Sequence, residues 1–217
     1  MIKALFSLLA LCAGIAHAAD MTVLRYVDQD PGTPPYATRI LVTPEFLRMD
    51  SGEDAGDFTL LDRKRRVVIN VARESKLAMV FSPGPLPPQP PGWAPRLEAN
   101  KAERGGRHFT LTVKGVVCSE GIAAKHAMDA AHAMAEMKSI LAATQYRVWK
   151  ASPPEMQHDC DLANQVWNPG DTLTLGLPLE EREFTGRTRR LESESKQPLQ
   201  PELFRVPQGM RTFAAPS

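Results

Sequence analysis

The chain reads as an α+β protein on three observations: short alternating strands fill its first half, one long alanine-rich helix follows, and further short strands come after that. Residues 21–27 alternate apolar and polar until Pro31-Gly32 and Pro34-Pro35 break the run. Alternation resumes at 39–43, pauses at Pro44-Glu45 and continues over 46–49. After a turn-rich acidic stretch at 50–56, three more strands are predicted at 58–61, 67–71 and 77–81. Short β-branched or aromatic runs separated by polar turns are the mark of a sheet meander. Because most expose only alternate apolar residues, one face should meet a core and the other water.

Residues 82–95 carry prolines so densely that they cannot join a β-ladder, and a stiff, extended connecting loop is expected. Strand character returns over 108–117 and ends at Cys118. The helix is expected over 120–144, rich in alanine and free of proline. At 100° per residue, Ile122, His126, Ala130, Met134, Met137 and Leu141 share one face, with Lys125, Asp129, His132 and Glu136 opposite. This amphipathic helix must cover something apolar. Strand-like pieces resume at 173–175, around Phe184 and at 188–191, with Thr185-Gly186-Arg187 as a turn and a frayed tail after Gln208.

The first eighteen residues form an address label. Lys3 precedes an apolar run over 4–15, and Ala16-His17-Ala18 supplies the small-x-small pattern, so cleavage is expected between Ala18 and Ala19. The run is much shorter than the roughly 20 residues of a bilayer span, so the expectation is a periplasmic protein with no transmembrane segment after cleavage. Residues 19–217 are long enough for a single domain with a sizeable core. Lys3 is the only charge in the label, so the other basic residues balance the 25 acidic ones. That balance argues against nucleic-acid binding, which needs a positive surplus. The cluster Arg63-Lys64-Arg65-Arg66 lies between strand-like runs and reads as a solvated hairpin turn.

Cys12 leaves with the label, and Leu11 before it is not the small residue that lipidation requires. Cys118 and Cys160 remain and should form a disulfide closing the excursion 119–160. They are too far apart in sequence to resemble a reactive Cys-x-x-Cys pair. His126 and His132 stand six residues apart, about 120° around a helix, which is wrong for sharing a metal. No His-Glu-x-x-His, nucleophile elbow or glycine-rich phosphate loop occurs. The reading is therefore non-enzymatic, with no catalytic residue, metal site or cofactor assigned.

A family resemblance rests on several short segments. Residues 39–50 (RILVTPEFLRMD), 57–62 and 66–71 look like the opening sheet of uncharacterised proteobacterial periplasmic proteins that resemble the outer-membrane lipoprotein carrier superfamily. Residues 113–118 (VKGVVC) are similar to their strand ending in cysteine, and 175–179 and 201–209 to their closing strands. The resemblance implies a strongly curved antiparallel sheet, a half-barrel, with a helix covering its concave face and an apolar cavity that in the carriers receives acyl chains. No carrier residue transfers to this chain, and the helix and the proline-rich loop stand outside the likeness.

The leading expectation is a periplasmic protein that binds or carries a lipid or acyl chain. Ile122, Met134, Met137 and Leu141 would line the ligand or simply fill the core. The alternative is an envelope protein–protein interaction module with a filled core, and a metal-binding protein stands third.

Overall fold

The computed structural model describes residues 20–101 and 105–216, so the cleavage point expected between Ala18 and Ala19 lies outside the described residues. Six strands come first: β1 (Asp20–Gln29), β2 (Tyr36–Val42), β3 (Phe46–Asp50), β4 (Phe58–Asp62), β5 (Val67–Ala72) and β6 (Leu77–Phe81). Then come β7 (Pro95–Lys101), β8 (Gly106–Val113), β9 (Val116–Ala124), helix α1 (Met128–Ala151) and the short α2 (Asp159–Leu162). The chain closes with β10 (Leu177–Glu183), β11 (Thr188–Pro198) and β12 (Arg211–Ala214). All twelve strands join one open, curved sheet in the order β12-β6-β5-β4-β3-β2-β1-β11-β10-β9-β8-β7. The α+β class is as the sequence predicts.

The sheet is mixed, not wholly antiparallel. The tail read as frayed is β12, which adds in parallel to β6 through the pairing of Phe213 with Met79. The sequence read as one strand over 108–117 is a hairpin, because Lys114 and Gly115 both take positive φ and turn β8 back as β9. The helix also starts later than expected. Residues 120–124 belong to β9, which hydrogen-bonds to both β8 and β10. Gly121 suits that strand because a Cβ there would meet the Glu180 carbonyl oxygen at 2.0 Å. Ile122 is therefore a strand residue, and Ala127, at φ 45°, makes the break before α1. At its other end α1 runs past Thr144 to Ala151, and Pro153-Pro154 prevents continuation.

Both faces of the first six strands carry a packed cluster. Leu24, Tyr26, Ile40, Leu47, Leu61 and Val68 pack on one face against Ala130, Met134, Met137 and Ile140 of α1. The alternate residues Val23, Leu41, Leu60 and Ile69 pack on the other against Leu203 and Phe204. On that second face Arg48 is fully buried, donates to Asp50 and to the Leu203 carbonyl, and lies 4.1 Å from the Phe58 ring centre. The arginine thus fastens the C-terminal segment to the sheet.

The proline-rich segment 82–94 joins β6 to β7, which lie near opposite ends of the sheet. At about 4.8 Å per strand, a flat sheet would separate them by about 48 Å. A polyproline chain of this length spans about 43 Å, and it must also pass over α1. The connection fits only if the sheet is bent. Gly84 lies directly on the helix, where an added Cβ would sit 3.0 Å from that of Ala143. Trp167 donates from its indole nitrogen to the Pro87 carbonyl, and Trp93 packs edge-on against Trp167 at 4.8 Å. The helix is held between sheet and strap.

Cys118 of β9 and Cys160 of α2 form the expected disulfide, and both are buried. It closes a loop of 42 residues, for which chain entropy gives about 4 kcal/mol of stabilisation. Replacing both cysteines by serine should lower stability by about that amount in urea unfolding. A loss below about 1 kcal/mol would show that the α1–α2 excursion docks without its covalent tie.

Candidate functional site

The helix covers only part of the face it packs on. Strand alternation aims Thr38, Ile40 and Val42 of β2 at that face, with Met49 and Leu47 of β3 following suit. Register then carries one row across six strands: Ile40, Met49, Thr59, Asn70, Met79 and Phe213. Ile40 lies under α1, but the row emerges as it crosses the sheet, and Met79 and Phe213 are 44% and 51% exposed. Thr59 donates to the Asn70 side-chain oxygen, so these two polar groups partly satisfy each other. Beside the row lies an open groove of about 530 Å³, bordered by Tyr36, Thr38, Met49, Asn70, Arg187 and Arg189.

The two arginines form the wall between this groove and the helix. Asp28 is fully buried on β1 and accepts two hydrogen bonds from Arg189, at 2.7 and 3.0 Å, and one from Thr38 at 2.6 Å. Burial pushes the Asp28 carboxyl up, but the hydrogen bonds and charge of Arg189, with help from Thr38, outweigh it and hold the group below the usual carboxylate range. Arg189 also lies 5.1 Å from the ring centre of Tyr26, whose hydroxyl donates to the Pro178 carbonyl. Burial raises that phenol, so it stays protonated.

Behind the wall, between α1 and the sheet, is a cavity of about 70 Å³ lined by Met134, Lys138, Leu173, Glu181, Glu183 and both arginines. It has room for a few waters. Burial raises the Glu183 carboxyl, and the charge of Arg187 only partly offsets that. Beside this cavity, the space under α1 is filled by the buried side chains of Ala130, Met134, Met137 and Ile140. Met134 and Met137 are buried in the core, and Leu141 packs against it half-buried. Ile122 is apart from them, in a separate groove of about 730 Å³ with His108, Glu120 and Arg182.

A further groove, of about 1020 Å³, runs between the outer side of α1 and the β4–β5 hairpin. Its leading cation, Arg63, is already engaged by Glu136 at 2.8 and 2.9 Å and by Asp129 at 3.0 Å. The basic hairpin is thus tied to the helix. His126 pairs with Glu194 at 2.9 Å, and among the described residues no three His, Cys, Asp or Glu side chains converge as a metal site would require. Asp28, Arg187 and Arg189 were not singled out in the sequence. A signal was present: Asp28 continues the buried alternation Leu24, Tyr26 of β1, where an acid must find a partner.

No protein-family profile and no curated protein matches the chain. Among solved structures, similarity is found to an uncharacterized conserved protein from Thermus thermophilus, with 12% identity over 92% of each chain and a TM-score of 0.43. PNGF-II is similar at 10% identity over 91% of this chain and 31% of its own, with a TM-score of 0.37. A LolA superfamily protein from Nitrosomonas europaea is similar at 9% identity over 88% of this chain and 91% of its own, with a TM-score of 0.32. The candidate site is defined by this chain's own residues.

Asp28 offers a direct test of the wall. Asp28→Asn leaves Arg189 without its charged partner and should cost about 3–5 kcal/mol. Because the folded carboxyl lies below its unfolded value of about 3.9, its stabilisation is present above that pH and is lost as pH falls through the folded value. Urea unfolding of the variant across the acid range should show a flatter decline in stability below about pH 4 than the native chain. An unchanged acid limb would mean that the pair adds nothing to the fold.

Proposed function

We propose that this chain is a periplasmic, non-enzymatic protein that binds an acyl chain in the open groove beside the helix. The observation that carries the reading is the emergent row Met49, Thr59, Asn70, Met79 and Phe213, which continues the covered sheet face into solvent. It crosses four strand spacings, about 19 Å, a length comparable to an extended long-chain acyl tail. The two methionines suit a flexible apolar ligand because their unbranched thioethers adapt to its shape. The site is placed alongside the helix, where the sheet face is open, because Ala130, Met134, Met137 and Ile140 are packed against the sheet beneath it. The buried disulfide supports an oxidising compartment.

A second reading, an envelope interaction module, draws on the filled core and on β12, a four-residue edge strand whose side chains are all exposed. It predicts a protein cross-linked at Phe213 in intact cells and no bound lipid.

Native mass spectrometry of protein purified from cells without detergent should show lipid adducts. In titration with a fluorescent acyl probe, Met79→Asp should weaken binding about tenfold, the equivalent of ~1.4 kcal/mol. Met79 is exposed, so this variant should unfold like the native chain. No adduct and no probe binding by the native protein would reject the acyl reading. Equal binding by the Met79 variant would reject its location.

A further inference from the structure

Arg187 differs from its neighbour Arg189 in one respect: its side chain donates no hydrogen bond to any described residue. It stands beside Gly186 in the β10–β11 turn and borders both the groove and the small cavity behind it. Its Nε is buried without a partner. The nearest carboxylate oxygens, on Asp28, Asp30 and Glu183, lie at 3.7, 3.7 and 3.9 Å, beyond hydrogen-bond reach. A guanidinium offers five donors in a fixed fork; here the side chain is about 35% exposed, and its buried Nε is the donor left without an acceptor, which is costly. The fork is ready for an acceptor that arrives from the groove.

The surrounding charge says which kind of acceptor. Asp28, Asp30, Glu181 and Glu183 stand against Lys138, Arg187 and Arg189, so carboxylates outnumber cations. The bidentate pair with Asp28 already occupies Arg189, and Asp30 accepts from the Tyr36 hydroxyl at 3.0 Å. An anionic head group would enter against this balance. An uncharged carbonyl, as in an ester or amide, can accept the free N–H groups without adding a negative charge.

We infer that Arg187 is a head-group site for an uncharged, carbonyl-bearing amphiphile of the monoacylglycerol type. This rests on the reading of the groove as an acyl site. The chain lies along Met49, Met79 and Phe213, and the ester carbonyl accepts from Arg187. Arg187 thereby sets selectivity, while the row supplies affinity for the tail.

Monoolein and oleate carry the same chain and separate the two contributions. Binding of each is measured near neutral pH and below its aggregation concentration, to the native protein, Arg187→Gln, Arg187→Lys and Met79→Asp. The native protein should bind monoolein about tenfold tighter than oleate. Arg187→Gln should weaken monoolein about tenfold while the variant still unfolds in one cooperative transition, since only ion pairs of 3.7–3.9 Å and no hydrogen bond within the fold are lost. Arg187→Lys should keep part of the preference. Oleate bound as tightly as monoolein by the native protein, or monoolein bound equally by Arg187→Gln, would overturn the head-group assignment. If Met79→Asp still weakened binding about tenfold in that case, the acyl groove would stand without it. Failure of the native protein to bind either lipid would overturn both.

Discussion

A short connection governs this architecture. The sheet places β6 and β7 near opposite ends of a twelve-strand order, yet only residues 82–94 join them. Proline keeps most of that segment extended and stiff, and a turn closed by the Trp93 N–H donating to the Pro90 carbonyl at 3.0 Å shortens it further, so it acts as a chord across the curve of the sheet. A flat sheet would put its ends out of reach. The chord passes over α1, with Gly84 against Ala143 and Pro87 held by Trp167, so bending the sheet and trapping the helix are one event. The tryptophans that fix the strap spend their indole donors on it and on the nearby loop, where Trp93 donates to Asn168.

A helix held from both sides can cover only the length of sheet beneath it. The core side chains of β1 to β6 meet Ala130, Met134 and Met137 closely, and the remaining void there is small and lined largely by charged groups. Beyond that coverage the same face continues, and its apolar character is carried outward by Met49, Met79 and Phe213. The wall of Asp28, Arg189 and Arg187 divides the two regions. Asp28 and Arg189 hold the wall rigid through paired hydrogen bonds. Arg187 lies next to them with its buried Nε unpartnered and its nearest carboxylate oxygens 3.7 Å away.

Much of this could be read from local pattern. The first six strands follow their apolar alternation, because each side of a half-buried strand declares itself at period two. The disulfide followed from compartment and cysteine count. The helix is legible but its start is not: isoleucine and alanine at 122–124 suit either structure, and what decides for strand is pairing with β8 and β10, a long-range fact. The parallel β12 was missed for the same reason, as four exposed residues carry no periodicity of their own. Met134 and Met137 are legible as residues of a packing face, and the structure buries both in the core. The wall was hidden because Asp28 and Arg189 lie 161 residues apart and meet only through the β1–β11 pairing.

The central claim is that ligand lies alongside α1, not beneath it. Hydrogen–deuterium exchange with and without monoolein tests this directly, because it reports where backbone protection changes. The account predicts slower exchange in β3 to β6 and in β12, with α1 and the strap at 82–94 unchanged. Accelerated exchange in α1 or the strap on adding lipid would show the helix lifting to admit a chain below it, and would contradict the account.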